Sequence, residues 1–255
     1  MGLLEAIPEA RLSALSDPED ADGDGISGRM NTVWDAVNEA MAVGRFGWKA
    51  EQPSVAQQTA GAFLGDIGAT TPIFGIEDCT EVQAACLEAE SGGDPEVQPN
   101  LFEKVVIYTS LIAVPKRRVW STTDILAGKA VFNAIGCVHC HVSRHETGAE
   151  HPLVEVREQV IWPYTDLLLH DMGSDLADNR PVFGASGSEW RTPPLWGLGL
   201  YKVVNKHDRL LHDGRARGVA EAILWHGGEG EASRDAFAAL SRAERDQLIR
   251  FVESL

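Results

Sequence analysis

Cys137, Val138, His139, Cys140 and His141 form the pattern C-x-x-C-H. Two thiols at this spacing can reach both vinyl groups of one porphyrin, and the imidazole beside the second thiol is placed to bind the iron. Covalent attachment of a c-type haem is the chemistry this combination serves best. Zinc is a competing use: Cys137 and Cys140 could act with His141, His145 or His151, although a second pair of ligands at short spacing is not evident. A thioredoxin-like dithiol would want a βαβ setting, which the surrounding helix and loops do not provide.

Iron held by His141 needs either an open side for peroxide or a second ligand for electron transfer. His226, Met172 and His212 are the candidates. His226 ends the apolar run Val219 to Trp225, where it could equally cap a helix C-terminus. Met172, in His170-Asp171-Met172-Gly173, offers a thioether that would raise the potential, or simply fills space. His212 reads as a residue that orders its own loop by hydrogen bonds. Arg191, next to the Pro193-Pro194 turn, matches a haem propionate in two-pronged geometry, or pairs with Glu189. Trp162, Trp190, Trp196 and Trp225 flank these groups and read mostly as packing, with a haem-pocket wall as the other use.

Two further patterns stand apart from the motif. Asp20, Asp22 and Asp24 followed by Gly25 match the first half of an EF-hand-type loop, in which alternate carboxylates converge on calcium. The position that should carry a bidentate Glu is Asn31, so the pattern is incomplete. Cys79 and Cys86 have no histidine nearby and read as a disulfide, which suits an oxidising compartment; two buried free thiols are the alternative.

Helices must deliver these groups. Thr122-Thr123-Asp124 offers N-caps for a helix running through Phe132 to Ile135, and that helix leads straight into the motif. Ser241 with Glu244 is a capping box for a C-terminal helix whose apolar face is Leu248, Ile249, Phe251, Val252 and Leu255. Asn100 with Glu103 starts another, with Leu101, Val105, Tyr108 and Ile112 at helical spacing until Pro115, and with Lys116-Arg117-Arg118 at its C-terminal end. Val219 to Trp225 is helical up to Gly227-Gly228. The small residues, glycines and prolines of Gln52 to Gly75 and the run Ser91-Gly92-Gly93-Asp94-Pro95 read as breaks with only short helices between them, and residues 142–215 predict mostly loop around a site.

Composition bounds the function. Acidic residues outnumber basic ones by 38 to 22, for a net charge of −16, which argues against a nucleic-acid partner. With 44% hydrophobic residues over 255 positions the chain can bury a sizeable core, yet no apolar stretch reaches the roughly 20 residues of a membrane span. Residues Met1 to Pro8 lack the basic and apolar regions of a secretory signal.

The segments Asp20 to Arg29 (DADGDGISGR), Gly44 to Ala50 (GRFGWKA), Tyr164 to Asp178 (YTDLLLHDMGSDLAD), Glu189 to Gly199 (EWRTPPLWGLG) and Leu211 to Glu229 add a specific likeness. Nearly end to end, the chain resembles the bacterial di-haem oxidoreductases, peroxidase-like or thiol oxidoreductase-like proteins related to the di-haem cytochrome c peroxidases. The resemblance implies two C-x-x-C-H motifs, one haem reacting with peroxide and the other relaying electrons. This chain has one motif, similar to the C-terminal relay, so it reads as the C-terminal part of a family member. His226 stands where the resemblance places a distal methionine, a departure in residue type.

The expected fold is mainly α: a cytochrome c-like haem domain over 119–255 with long irregular loops, its motif helix packed on the C-terminal helix. Residues 1–118 are expected to be an irregular, helical remnant of a neighbouring domain, with the Asp-rich loop and the disulfide. The expected function is a haem c redox module, exported or periplasmic, relaying electrons to or from a second haem domain or a redox partner protein. A stand-alone, non-catalytic electron carrier and a zinc-stabilised structural domain are the alternatives.

Overall fold

The computed structural model describes residues 1–255. It is mainly α, with ten α-helices and eight short strands paired only as four two-stranded antiparallel sheets. No helix is long and apolar enough to cross a membrane.

The motif helix spans Thr123–Ala134, and the Thr122 side chain accepts from the Ile125 N–H at its start, satisfying one of the orphan donors there. The C-terminal helix spans Arg242–Glu253 and begins with the full Ser241/Glu244 capping box. These two helices cross at Gly128. A β-carbon there would stand 2.0 Å from the Gln247 carbonyl oxygen, so only glycine allows the backbones to approach this closely. Around the crossing, Ile125, Phe132, Tyr164, Phe237, Leu248, Phe251 and Val252 form one buried core. Phe132, Tyr164 and Phe251 meet there at tilted to edge-on angles with centroids 5.3–6.0 Å apart, as ring quadrupoles favour.

A second core joins Leu4, Ile7, Leu12, Phe46 and Val55 to Ile161, Leu167 and Leu168. It draws on both sides of residue 118, and a backbone bridge between Arg29 and Leu169 stitches the same two regions together. The first 118 residues therefore share a core with the motif-bearing part.

Several local expectations are corrected. Val55–Ile67 is one helix of 13 residues inside a segment whose composition reads as a break. Ser54 caps its start, Gly68 closes it in the left-handed conformation, and packing against Pro99–Leu111 offsets the low propensity of Gly61 and Gly65. The Pro99–Leu111 helix starts with Pro99 in its first turn, so Asn100 lies inside it and caps nothing. It ends at Leu111, before Lys116-Arg117-Arg118, so no basic residue occupies its last turn. Its buried stripe is also shifted by one position. Phe102, Val106 and Ser110 face the protein, while Leu101 and Tyr108 are 53% and 70% exposed. Residues 142–215 carry short antiparallel hairpins between loops, among them Leu169–Asp171 paired with Glu189–Arg191.

Candidate functional site

Gly136 follows the motif helix with φ of +86°, a conformation that L side chains resist, and this turn swings the chain into a short 3-10 segment, Cys137–His139. Cys137 and Cys140 are free thiols, both partly buried, and Cys137 packs against the core around Phe132. Burial pushes the Cys137 thiol up to about 12, and burial raises Cys140 as well. Both are therefore neutral thiols at neutral pH.

His141 donates from Nδ1 to the Tyr164 carbonyl oxygen at 3.0 Å. That bond fixes the tautomer and leaves Nε2 as the nitrogen with a lone pair, as in metal-ligating histidines whose other ring nitrogen donates to a carbonyl or carboxylate. Burial pushes His141 down to about 4, with the neighbouring His226 lowering it further, so the ring is neutral and competent to ligate. His226 mirrors this. Its Nδ1 donates to the Ala222 carbonyl oxygen at 2.8 Å, again leaving Nε2 uncommitted, and burial lowers its pKa too. The helix that leads to it is Val219–Leu224, capped by Trp225, so His226 lies just beyond the helix C-terminus.

Met172, the other candidate, lies beside His226. A β-carbon added to Gly230 would meet the Met172 methyl at 3.3 Å and the His226 ring at 3.2 Å, so Gly230 leaves room for both. His212 does not order its loop through hydrogen bonds as expected. It stacks on Trp190, with centroids 3.7 Å apart and 11° between planes, and meets Trp48 edge-on. Trp196 packs against the first core, Trp162 is exposed, and Arg215 lies over Trp225.

Arg191 donates to the backbone carbonyls of Gly47 and Thr192, and burial lowers its pKa to about 10 against the opposing pull of Glu51 and Asp166. Its expected alternative partner, Glu189, instead takes a two-pronged pair of bonds from Arg29, at 2.6 and 2.5 Å. Of the expected calcium trio, Asp20 and Asp22 converge with Asp17, while Asp24 turns to the His139 ring at 2.9 Å. Asn31 points inward, bonded to Lys49, Val182 and Gly184, and contributes nothing to that loop. Cys79 and Cys86 are joined to each other.

The zinc set is not assembled. His145 bonds to the Thr165 carbonyl and His151 to Glu5, whereas the groups that gather around Cys140 are Asp166 and His170. The sequence marks His170 only as part of the Met172 loop, and Asp166 and Glu229 only as members of segments that carry the family resemblance. In the structure the His170 ring is held between Asp166 at 2.8 Å and Glu229 at 2.6 Å, and its Nδ1 lies 3.6 Å from the Cys140 sulfur. Burial alone would lower the His170 pKa, but these hydrogen bonds outweigh it and hold the ring well above its ordinary value.

A family model described as "Di-haem oxidoreductase, putative peroxidase" matches residues 1–255. The chain belongs to this family. It is thus a redox protein of a haem-using family, and the spacing, tautomers and neutral state of Cys137, Cys140 and His141 fit a haem in this di-haem oxidoreductase. Comparison with curated proteins and with solved structures gave no match.

Proposed function

We propose that this chain is a c-type haem redox module, in which Cys137 and Cys140 would tether the macrocycle and His141, with His226, would ligate its iron. The observation that carries the reading is the bond from His141 Nδ1 to Tyr164, which turns the ring's lone pair away from the backbone in a site also bearing two free thiols. The haem supplies one-electron chemistry when bound. The protein holds the tethers, fixes the imidazole tautomer and keeps both histidines neutral by burial. Met172, adjacent to His226, is the alternative ligand.

The crossing of Thr123–Ala134 with Arg242–Glu253 supports reading residues 119–255 as a cytochrome c-like haem domain. The family is di-haem by description, and this chain has one C-x-x-C-H, so its electron partner is a second haem in a separate domain or protein. An exported, oxidising setting belongs to the same reading: thioether attachment would require it, and the Cys79–Cys86 bond is consistent with it.

Optical spectra of oxidised and reduced protein, followed by acid-acetone extraction, test the reading. A Soret band that stays with the protein supports it. If protein matured in a haem-attaching host carries no covalent haem, the reading fails. Loss of the six-coordinate spectrum in His226→Ala but not in Met172→Leu supports His226 as the ligand; the reverse pattern selects Met172.

A further inference from the structure

Glu229 is among the most heavily engaged side chains near the site. Its carboxylate accepts from the Ser27 N–H at 3.1 Å, the Ser27 hydroxyl at 2.8 Å, the Asp171 N–H at 3.2 Å and His170 Nδ1 at 2.6 Å. It lies three residues after His226, across Gly227-Gly228. Those glycines are pressed against the Met172 segment. A β-carbon on Gly228 would stand 2.2 Å from the Asp171 carbonyl oxygen, and one on Gly227 would stand 3.0 Å from that of Met172. His170 is itself fixed by Asp166 at 2.8 Å, and its Nδ1 lies 3.6 Å from the Cys140 sulfur. One carboxylate thus joins the segment after His226, the strand before Met172, the end of the Asp-rich loop and the tether Cys140.

We propose that Glu229 is a positioning residue that pins the His226 turn to His170 and Ser27, and so determines that His226 rather than Met172 is presented to the metal. The physical argument is one of competition. Both candidate ligands border the same space at Gly230, and backbone contact between glycines supplies shape but little directional hold. Four hydrogen bonds accepted by one carboxylate, from the His170 ring, the Ser27 N–H and hydroxyl and the Asp171 N–H, supply that hold. Glutamine in place of Glu229 keeps the size but loses the charge and replaces one of two accepting oxygens by a donor, so the bonds at Oε1 and Oε2 cannot all be kept.

This inference rests on the haem reading for its spectroscopic arm only. In haem-loaded protein, Glu229→Gln is expected to convert part of the wild-type axial ligation into a five-coordinate or a methionine-ligated fraction, and adding Met172→Leu should abolish the latter. In the haem-free chain, Glu229→Gln should speed amide exchange at residues 226–230 and at Ser27 about tenfold, since bonds to charged groups are being lost. Exchange in Thr123–Ala134 should stay as it was. Ser27→Ala, a milder change, should give a smaller effect in the same direction. Wild-type exchange at 226–230 in Glu229→Gln, or an unaltered axial spectrum, overturns the proposal. Should wild-type protein fail to take up haem, the haem reading falls while the exchange arm still decides whether Glu229 pins the turn.

Discussion

Nδ1 of His141 sits 3.0 Å from the backbone carbonyl of Tyr164, a residue that is itself packed edge-on against Phe132 of the motif helix. The imidazole is thereby oriented by the same aromatic core that holds the two crossing helices together. Chemistry and core share one anchor.

Removing the tethers should separate attachment from ligation. Cys137→Ser with Cys140→Ser should leave a haem that acid-acetone extracts completely, while His141→Ala should retain covalent haem but lose the low-spin spectrum. Extraction and absorbance on the two variants check this directly.

Acid should cost the haem-free chain stability through His141. Its folded pKa, about 4, lies below the ordinary value near 6.5, so the folded state binds fewer protons than the unfolded one across that window. The stabilising contribution is fully present above pH about 6.5 and is lost as pH falls toward 4, by an amount on the order of 3 kcal/mol. His226, lowered in the same sense, adds to this slope. His170 works oppositely, since its raised pKa contributes below the ordinary value and is lost as pH rises. Urea unfolding between pH 4 and 7 should show a shallower acid slope in His141→Phe than in wild type; equal slopes would refute the assignment.

The helix crossing should be intolerant of a single methyl group. Gly128→Ala places a β-carbon 2.0 Å from the Gln247 carbonyl oxygen and 2.8 Å from the Phe251 β-carbon, so the helices must separate. A loss of about 3 kcal/mol is expected, at the upper end for overpacking. Gly65→Ala, in open space within the Val55–Ile67 helix, should instead stabilise slightly, because alanine is the better helix former. Chemical denaturation of both variants tests the contrast.

The disulfide should matter to stability and not to redox chemistry. Cys79→Ser with Cys86→Ser opens a short loop and should lower stability by about 2 kcal/mol through chain entropy. Because the pair lies in a surface segment remote in sequence from the motif, the haem spectrum of this variant should match wild type.

What the sequence by itself determined is local. The C-x-x-C-H spacing, the Thr122 cap, the Ser241/Glu244 capping box and the Cys79–Cys86 pair each depend on residues within a few positions of one another, so short-range geometry expresses them directly. Tertiary structure decided the rest. Two apolar stripes lie side by side on Pro99–Leu111, and only docking against Val55–Ile67 selects Phe102 and Val106 over Leu101 and Tyr108. Arg29 rather than Arg191 claims Glu189 because the backbone bridge at Leu169 brings Arg29 to the strand pair. His170 meets Glu229 from 59 residues away, and Ser27 meets it from 202. Such pairings hold polar groups that burial would otherwise leave unsatisfied, and which partners meet depends on how the whole chain closes around its two cores.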